Sequence, residues 1–592
     1  MKKLFTFCII FVAYKNLFAQ LPVKIEHPRI LMDSLTKVDL IVKKNSNDAD
    51  WLAMKSQADA LSNAVVQTFN NTNATTWYGN GHIFYSYQGE SWMAATYPLA
   101  MTHQMMKGFI SGAYPTSYSN KLIQLGDTIV AAHQRFLAGA PLSHNVIDYY
   151  NSYYASRTVP GTLAIIYDYC YDELSTAQRA AYISTMNDWF NDIKLNGYQR
   201  NGPPTGNYYW GHAFGIGYMG LATANENIQA QAMIDYARMR LDLSPSNLIP
   251  NSQKPEASLK DAFENNIEPA GSGGWMQKTY YGTPFKGGFH LQGWGYGAES
   301  FNRVIDYLIS IKTATTENLL TTTQPWWQQN IMALYHQMLP NRYEVDHVGD
   351  WGGIYNNIFP LGFPGRIAYA YANTTLGGNA YDLAFNRRVV FPIWGQDRAD
   401  FDLWEKFYFK KNQPAIQIVS PPYYSGFTDS YNQLFDTYNN NKAFQYFVMR
   451  NNWTDTATWI AFNAESQWYD DHQHFACASF ELKQGDKYLL VDANSLPQDP
   501  QFNYTTNGTN YAAHSGATNT LFFNDLGDFF DQNNYCSQGQ QFYYGQDKTV
   551  CNEQSMAYSY FRIDATNAYN YSGDTTTLAS NKLRHFYRNY LY

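Results

Sequence analysis

The chain has no basic run or stripe, few charges, no internal sequence repeat and hardly any cysteine. Each shortage excludes something. Without clustered Lys and Arg there is no electrostatic footprint for a phosphate backbone, so nucleic acid is not an expected partner. The net charge of -8 over 592 residues is mild and does not discriminate among other partners. Of five cysteines, Cys8 lies in the leader-like start, which leaves Cys170, Cys477, Cys536 and Cys551. Four in so long a chain do not make a disulfide scaffold, although an oxidising compartment permits a bridge and Cys536 with Cys551 is the expected pair. No later segment is long and apolar enough to span a bilayer.

Aromatic residues are what the chain has instead. They make up 17% of it against 15% charged residues, with 50 Tyr and 15 Trp. Tyr and Trp combine an apolar face with a polar edge, which suits stacking on sugar rings. The plainer account of many of them is packing between helices. Candidate sugar platforms are Trp77, Tyr78, Tyr85, Trp92, Trp210 and Trp294, most of which are expected in the core.

The start reads as an export signal. Lys2-Lys3 precede a mainly apolar stretch from Leu4 to Ala13, and Leu17-Phe18-Ala19 ends in a small residue. Residues 1–19 are therefore expected to be removed, and the protein to be periplasmic, cell-surface or secreted.

The length implies more than one domain. From about residue 30 to about residue 390 the apolar spacing is mainly helical. Ser175 caps a helix in which Tyr182, Ile183, Met186, Trp189, Phe190 and Ile193 recur at threes and fours, and Asn196-Gly197 stops it. Gly161–Leu174 reads as its antiparallel partner. Further helices are expected around Ser119–Leu137, Ile228–Leu241, Ala298–Ile311 and Pro325–Leu339. Repeated helical hairpins of this kind point to an α/α toroid or an irregular helical array over residues 20–395. The long connections Asn196–Trp210 and Glu268–Gly297 are Gly-, Asn- and Tyr-rich, and loops of that length are usually functional.

Near residue 400 the period changes to two. Phe444–Arg450, Trp459–Phe462, Ala478–Leu482, Tyr488–Val491 and Thr520–Phe523 read as short strands. An antiparallel β-sandwich over residues 396–592 is expected, giving a multidomain chain with helical and β parts. The chain stops at Tyr592 inside the strand-like run Arg584–Tyr590, so a fragment lacking its last strands is expected.

Three segments concentrate polar groups with aromatics and glycine: Asn207–His212, His290–Gly297, and Asp470–Phe475 with His472 and His474. The first two enter helices, where backbone N–H groups and the helix dipole favour an anion. Histidines two apart on a strand point to opposite faces and can take different tasks, although a pair of solvated turn histidines fits the spacing equally. A glycine on each side of Tyr296 leaves its hydroxyl approachable.

Taken together, the order Asn…His, then Gln-Gly-x-x-Tyr-Gly, then Asp-His-x-His-Phe followed by Leu-Leu-Val-Asp resembles the heparinase II/III-like polysaccharide lyases. His27-Pro28-Arg29-Ile30-Leu31 and Tyr446–Trp453 are similar to further segments of that family. The resemblance covers nearly the whole mature chain. It implies an N-terminal α/α toroid, a C-terminal antiparallel β-sandwich, and β-elimination on uronic-acid polysaccharides.

It also implies roles. Asn207 and His212 match positions that neutralise the uronate carboxylate so that an enolate-like transition state is tolerable. Tyr296 matches the family's acid/base tyrosine and His472 its catalytic histidine. Trp210, Gln292, Trp294 and Arg450 are candidate substrate contacts. His474 and Asp492 match ligands in members that carry zinc. The third ligand departs from the pattern, because Thr518 stands where those members have His, and His514 replaces it only if the loop bends back. The chemistry itself needs no cofactor, and a structural Zn²⁺ stays open. The oligomeric state is not legible.

Two other readings remain. A glycoside hydrolase on a similar toroid would use carboxylates such as Asp346 and Asp350 in Asp346–Trp351. A non-catalytic glycan-binding surface protein would use the aromatics and the sandwich.

Overall fold

A computed structural model describes residues 22–69, 81–85, 89–109, 112–139, 145–148, 153–197, 204, 206–241, 258–264, 285, 287–288, 290, 293–340, 345–346, 362–386, 402–411, 431–434, 446–451, 453–464, 476–490, 519–520, 549–554, 559–566 and 585–591. The described residues are mostly helical, with antiparallel sheets toward the C-terminus. They fall into two compact units that interleave along the chain. The first takes in residues up to Gly202, Tyr208–Ser258 and Arg303–Thr322. The second takes in Pro203–Asn207, Leu259–Asn302 and the chain from Thr323 onward. The expected boundary between residues 395 and 396 lies outside the described residues.

The first unit is built from α1 (Ser34–Asn45), α2 (Ala49–Asn63), the two-residue parallel pair β1 (Val65–Val66) and β2 (His82–Ile83), α3 (Glu90–Lys107), α4 (Ser117–Leu137), α5 (Val159–Tyr169), α6 (Thr176–Asn196), α7 (Asn207–Thr223) from Tyr208 on, and α8 (Ala230–Leu241). α5 packs on α3, α4 and α6. Its sequence Val-Pro-Gly-Thr-Leu-Ala-Ile-Ile-Tyr-Asp-Tyr is apolar nearly all round, as a helix surrounded by others must be. Pro160 in its first turn forfeits no intrahelical bond.

α6 follows its sequence signals closely. Ser175 and Gln178 form a reciprocal capping box, and the helix ends at Asn196 with Gly197 as its C-cap. Tyr182, Met186, Trp189, Phe190 and Ile193 are buried, while Ile183 is only partly so. α8 starts later than the apolar pattern implies. Asn227 Oδ1 accepts the Gln229 N–H at 3.0 Å, a local turn that competes with helix, and Ile228 is left 98% exposed.

In the second unit lie α9 (Leu259–Glu264), the N-terminal part of α10 (Gly293–Ala314), α11 (Leu319–Gln337) from Thr323 on, α12 (Gly362–Ala370), α13 (Thr375–Tyr381) and α14 (Leu403–Phe409). Phe263, Phe285, Phe301, Trp326, Trp327 and Phe363 meet ring to ring in its helical core. Phe263 stacks on Trp326 at 4.9 Å, and Trp326 Nε1 donates to Glu264 at 2.7 Å, so the buried indole keeps a polar partner.

Two antiparallel sheets complete this unit. One is a meander of β3 (Tyr431–Leu434), β4 (Tyr446–Arg450), β5 (Thr458–Asn463), β6 (Phe480–Gln484) and β7 (Lys487–Leu490) in chain order. The other is β8 (Thr549–Gln554), β9 (Ser559–Asp564) and β10 (Tyr587–Leu591), with β9 in the middle. Phe447, Met449, Ile460 and Phe462 of the first share one core with Phe561, Ile563 and Tyr590 of the second. The alternation in β4 and β5 supplies that inward face. Asn519 pairs with the Phe480 backbone through both ends of its amide, and the strand expected over Thr520–Phe523 otherwise lies outside the described residues.

Candidate functional site

The helix that matters most is α7, Asn-Tyr-Tyr-Trp-Gly-His-Ala-Phe-Gly-Ile-Gly-Tyr-Met-Gly-Leu-Ala-Thr. Each interior glycine costs a helix about 1 kcal/mol against alanine. The neighbours explain the expense. A β-carbon on Gly211 would stand 2.6 Å from Arg157 Cβ, and one on Gly217 would stand 2.4 Å from the Tyr307 ring. Glycine here lets neighbouring side chains lie directly on the helix, and Arg157 is one of them.

The C-terminal end of α7 is held by Arg29. Its guanidinium donates to the carbonyls of Leu221, Ala222 and Ala224 at 3.3, 3.1 and 2.9 Å, to Ile25 O at 2.9 Å, and to both oxygens of Glu226. These carbonyls are the orphan acceptors of a helix end, and a cation is the favourable group there. His27-Pro28-Arg29-Ile30-Leu31 is thus a clamp on the helix that carries His212.

His212 is buried, 3% exposed. Its Nε2 lies 3.0 Å from the backbone carbonyl of Tyr153. A carbonyl only accepts, so the proton is assigned to Nε2 and the lone pair to Nδ1. Burial, together with the positive charges of Arg157, Arg240 and Arg303, pushes its pKa down to about 3, against the opposing pull of the Tyr153 bond. This shift favours the neutral ring near neutral pH. Arg157 sits 4.9 Å over the Tyr208 ring, and Arg240 lies over Tyr209 and Tyr236 at 4.9 and 5.0 Å. Arg303 donates to the Arg157 carbonyl. All of these residues belong to the first unit, and together they form a positively charged setting around a neutral imidazole.

The other expected residues are placed as follows. Asn207 is buried and opens α7, five residues before His212; that spacing turns it about 140° around the helix axis. Tyr296 is half-buried in the first turn of α10, in the second unit, because the helix begins at Gly293 rather than at the expected Ala298. A β-carbon on Gly297 would meet His290 Cβ at 2.6 Å, so the glycine after Tyr296 serves a close approach. His290 itself stacks on Phe285 at 5.0 Å.

Trp210 and Trp294 are buried among aromatics, Trp210 beside Phe214, and Trp294 on Phe363 with its indole N–H given to Gln337. Tyr85 and Trp92 are buried as well, and Trp77 and Tyr78 lie outside the described residues. Arg450 is buried, stacks 4.1 Å from Trp453 and donates to the His336 carbonyl at 3.0 Å, a task within the second unit. Asp346 is buried and its N–H bonds Gln337 O at 3.0 Å; His347 and Asp350 lie outside the described residues.

Gln292, His472, His474, Asp492 and His514 also lie outside the described residues, as do Cys536 and residues 1–21. Among the described residues no group of three metal-ligating side chains occurs, Cys170 and Cys477 are buried, and no helix is long and apolar enough to cross a membrane.

Sequence reading missed Tyr153, Arg157, Arg240 and Arg303. Nothing in their local pattern marks them, because each reaches His212 only through tertiary packing. The glycine spacing in α7 was the available signal, since it required something to lie against the helix.

No family model and no curated protein matches the chain. Among solved structures the chain is similar to a heparinase III, with a TM-score of 0.47 at 10% identity over 95% of this chain and 71% of that one. It is also similar to the heparan sulfate lyase HepC from Pedobacter heparinus, with a TM-score of 0.41 at 12% identity over 92% of this chain and 74% of that one.

Proposed function

We propose that the protein is an exported polysaccharide lyase that cleaves a uronic-acid-containing acidic glycan by β-elimination, on an α/α toroid joined to a β-sandwich. The observation that carries this reading is the charge around His212. A buried imidazole lies in the field of Arg157, Arg240 and Arg303, on a helix against which Arg157 packs directly at Gly211. Such a field favours an acidic sugar, and it favours an enolate-like transition state more, because charge develops there.

In this reading Asn207 and the positive field at His212 neutralise the carboxylate. Tyr296 is the acid that protonates the leaving C4 oxygen, and the base for one epimer. His472 is the second acid/base group. Gln292 binds substrate, and a structural zinc on His474 and Asp492 with His514 belongs to the same proposal. Elemental analysis of the purified protein tests the metal: one zinc per chain supports it, and none discards it.

The reaction has its own test. β-elimination creates a C4–C5 double bond conjugated with the carboxylate, so incubation with a panel of uronic-acid polysaccharides is expected to raise ultraviolet absorbance. New reducing ends without that absorbance would make the protein a hydrolase. Silence on every glycan, with retained binding, would make it a glycan-binding protein.

A further inference from the structure

Tyr153 occupies the left-handed region, with φ 57° and ψ 29°. For a bulky residue this is a genuine outlier, and such outliers persist only where the surroundings hold them. Here both ends are held. Asp148 Oδ1 accepts the Tyr153 N–H at 3.0 Å, and Asp192 Oδ1 accepts the phenol at 2.8 Å. Asn196 steadies Asp192 at 2.9 Å. Burial and the Asp192 carboxylate push the Tyr153 pKa up, so the phenol stays protonated and remains the donor of that bond.

The outcome of this conformation is the direction of one carbonyl. Tyr153 O accepts from Ser156 N at 3.0 Å, from Ser156 Oγ at 2.6 Å and from His212 Nε2 at 3.0 Å. The opposite ring nitrogen, His212 Nδ1, is buried and meets no hydrogen-bond partner among the described residues. A buried polar atom without a partner is uncommon enough to need a reason.

We propose that Tyr153 is a positioning residue that fixes His212 as its Nε2–H tautomer, so that Nδ1 presents a bare lone pair to a sugar hydroxyl. His212 then orients the sugar as a hydrogen-bond acceptor, and the acidic charge is met by Arg157, Arg240 and Arg303 rather than by an imidazolium. The sugar in this statement rests on the lyase reading above; the tautomer does not.

The test is nitrogen NMR of the full chain labelled with ¹⁵N-histidine, the His212 signals being assigned by their loss in His212→Gln. The expected result is a pyridine-type Nδ1 and a pyrrole-type Nε2 across about pH 5 to 8. In Tyr153→Phe, and more so in Asp148→Ala, the two nitrogens are expected to move toward averaged shifts. On a uronan that the wild type cleaves, kcat is expected to fall by roughly a hundredfold in Asp148→Ala while KM changes little, the mark of lost orientation. A protonated Nδ1 in the wild type, or an unchanged pattern in both variants, overturns the proposal. The expected pattern in a protein that cleaves no uronan would leave the positioning standing and remove the lyase reading alone.

Discussion

His27 Nδ1 lies 2.6 Å from Asp168 Oδ1, both side chains almost wholly buried. The second Asp168 oxygen accepts the backbone N–H groups of Arg29 and Ile30 at 2.7 and 2.8 Å. One carboxylate therefore holds the segment whose guanidinium closes the end of α7. Removing it leaves two buried N–H groups and the Nδ1 of a buried imidazole without their acceptor. We expect Asp168→Ala to cost roughly 3–5 kcal/mol in denaturant unfolding. A loss within about 0.5 kcal/mol would mean the clamp carries nothing.

The same pair gives stability a pH dependence. Burial lowers the His27 pKa, but the Asp168 and Glu226 carboxylates outweigh it and the net shift is upward. A pKa raised in the folded state contributes stability that is fully present below the unfolded value of about 6.5 and is lost as pH rises through the folded value. The melting temperature is therefore expected to fall on the alkaline side of about pH 6.5, and His27→Gln to flatten that slope. An unchanged slope in the variant would assign it elsewhere.

Glu173 acts on the acid side. Its carboxyl is half-buried and bonds Lys107 at 2.7 Å and the Tyr114 phenol, with His103 close by at 3.4 Å. Burial opposes the charge, yet these partners bring the pKa down to about 2. A lowered carboxyl pKa contributes stability above the unfolded value of about 4.3, lost as pH falls through the folded one. Glu173→Gln should shrink the difference in melting temperature between about pH 5 and pH 2.5. A wild-type slope in that variant would show that other carboxyls set the acid limit.

Gly211 tests the packing that places Arg157. Alanine there would put a methyl 2.6 Å from Arg157 Cβ, a backbone-near atom that cannot swing away. We expect Gly211→Ala to destabilise by about 1–3 kcal/mol despite its better helix propensity. Gly215→Ala, whose nearest contact is Ser156 O at 3.2 Å, should cost less. Equal effects would show that close approach is not what the glycine serves.

The legible part of this chain was the part written locally. Ser175, the apolar spacing of Tyr182 to Ile193 and Asn196-Gly197 placed α6 because cap, face and stop lie within one segment. The alternation in Phe444–Arg450 and Trp459–Phe462 placed β4 and β5 for the same reason. The clamp was visible only as a motif, since the reach of Arg29 to Ala222 spans most of the first unit. The setting of His212 was not visible at all. The left-handed turn at Tyr153 carries neither Gly nor Asn, the residues that usually announce that conformation. Arg157, Arg240 and Arg303 sit in three separate segments with ordinary patterns.

The last expectation separates the enzymatic readings. Tyr296, half-buried in the first turn of α10, is the proposed acid, and a phenol that gives a proton in the transition state is worth about 10²–10⁴ in rate. Tyr296→Phe keeps the ring and its packing and removes only that proton. It should therefore lose the ultraviolet-absorbing product by that factor while its melting temperature stays near the wild type. Asp350→Asn should retain the activity, because β-elimination asks nothing of a second carboxylate there. The reverse pattern, with Tyr296→Phe active and Asp350→Asn dead, would transfer the chemistry to a carboxylate pair and make the protein a glycoside hydrolase. Binding intact in both variants with no product from the wild type would remove catalysis from the account, because a sugar-binding face has no use for a proton on Tyr296.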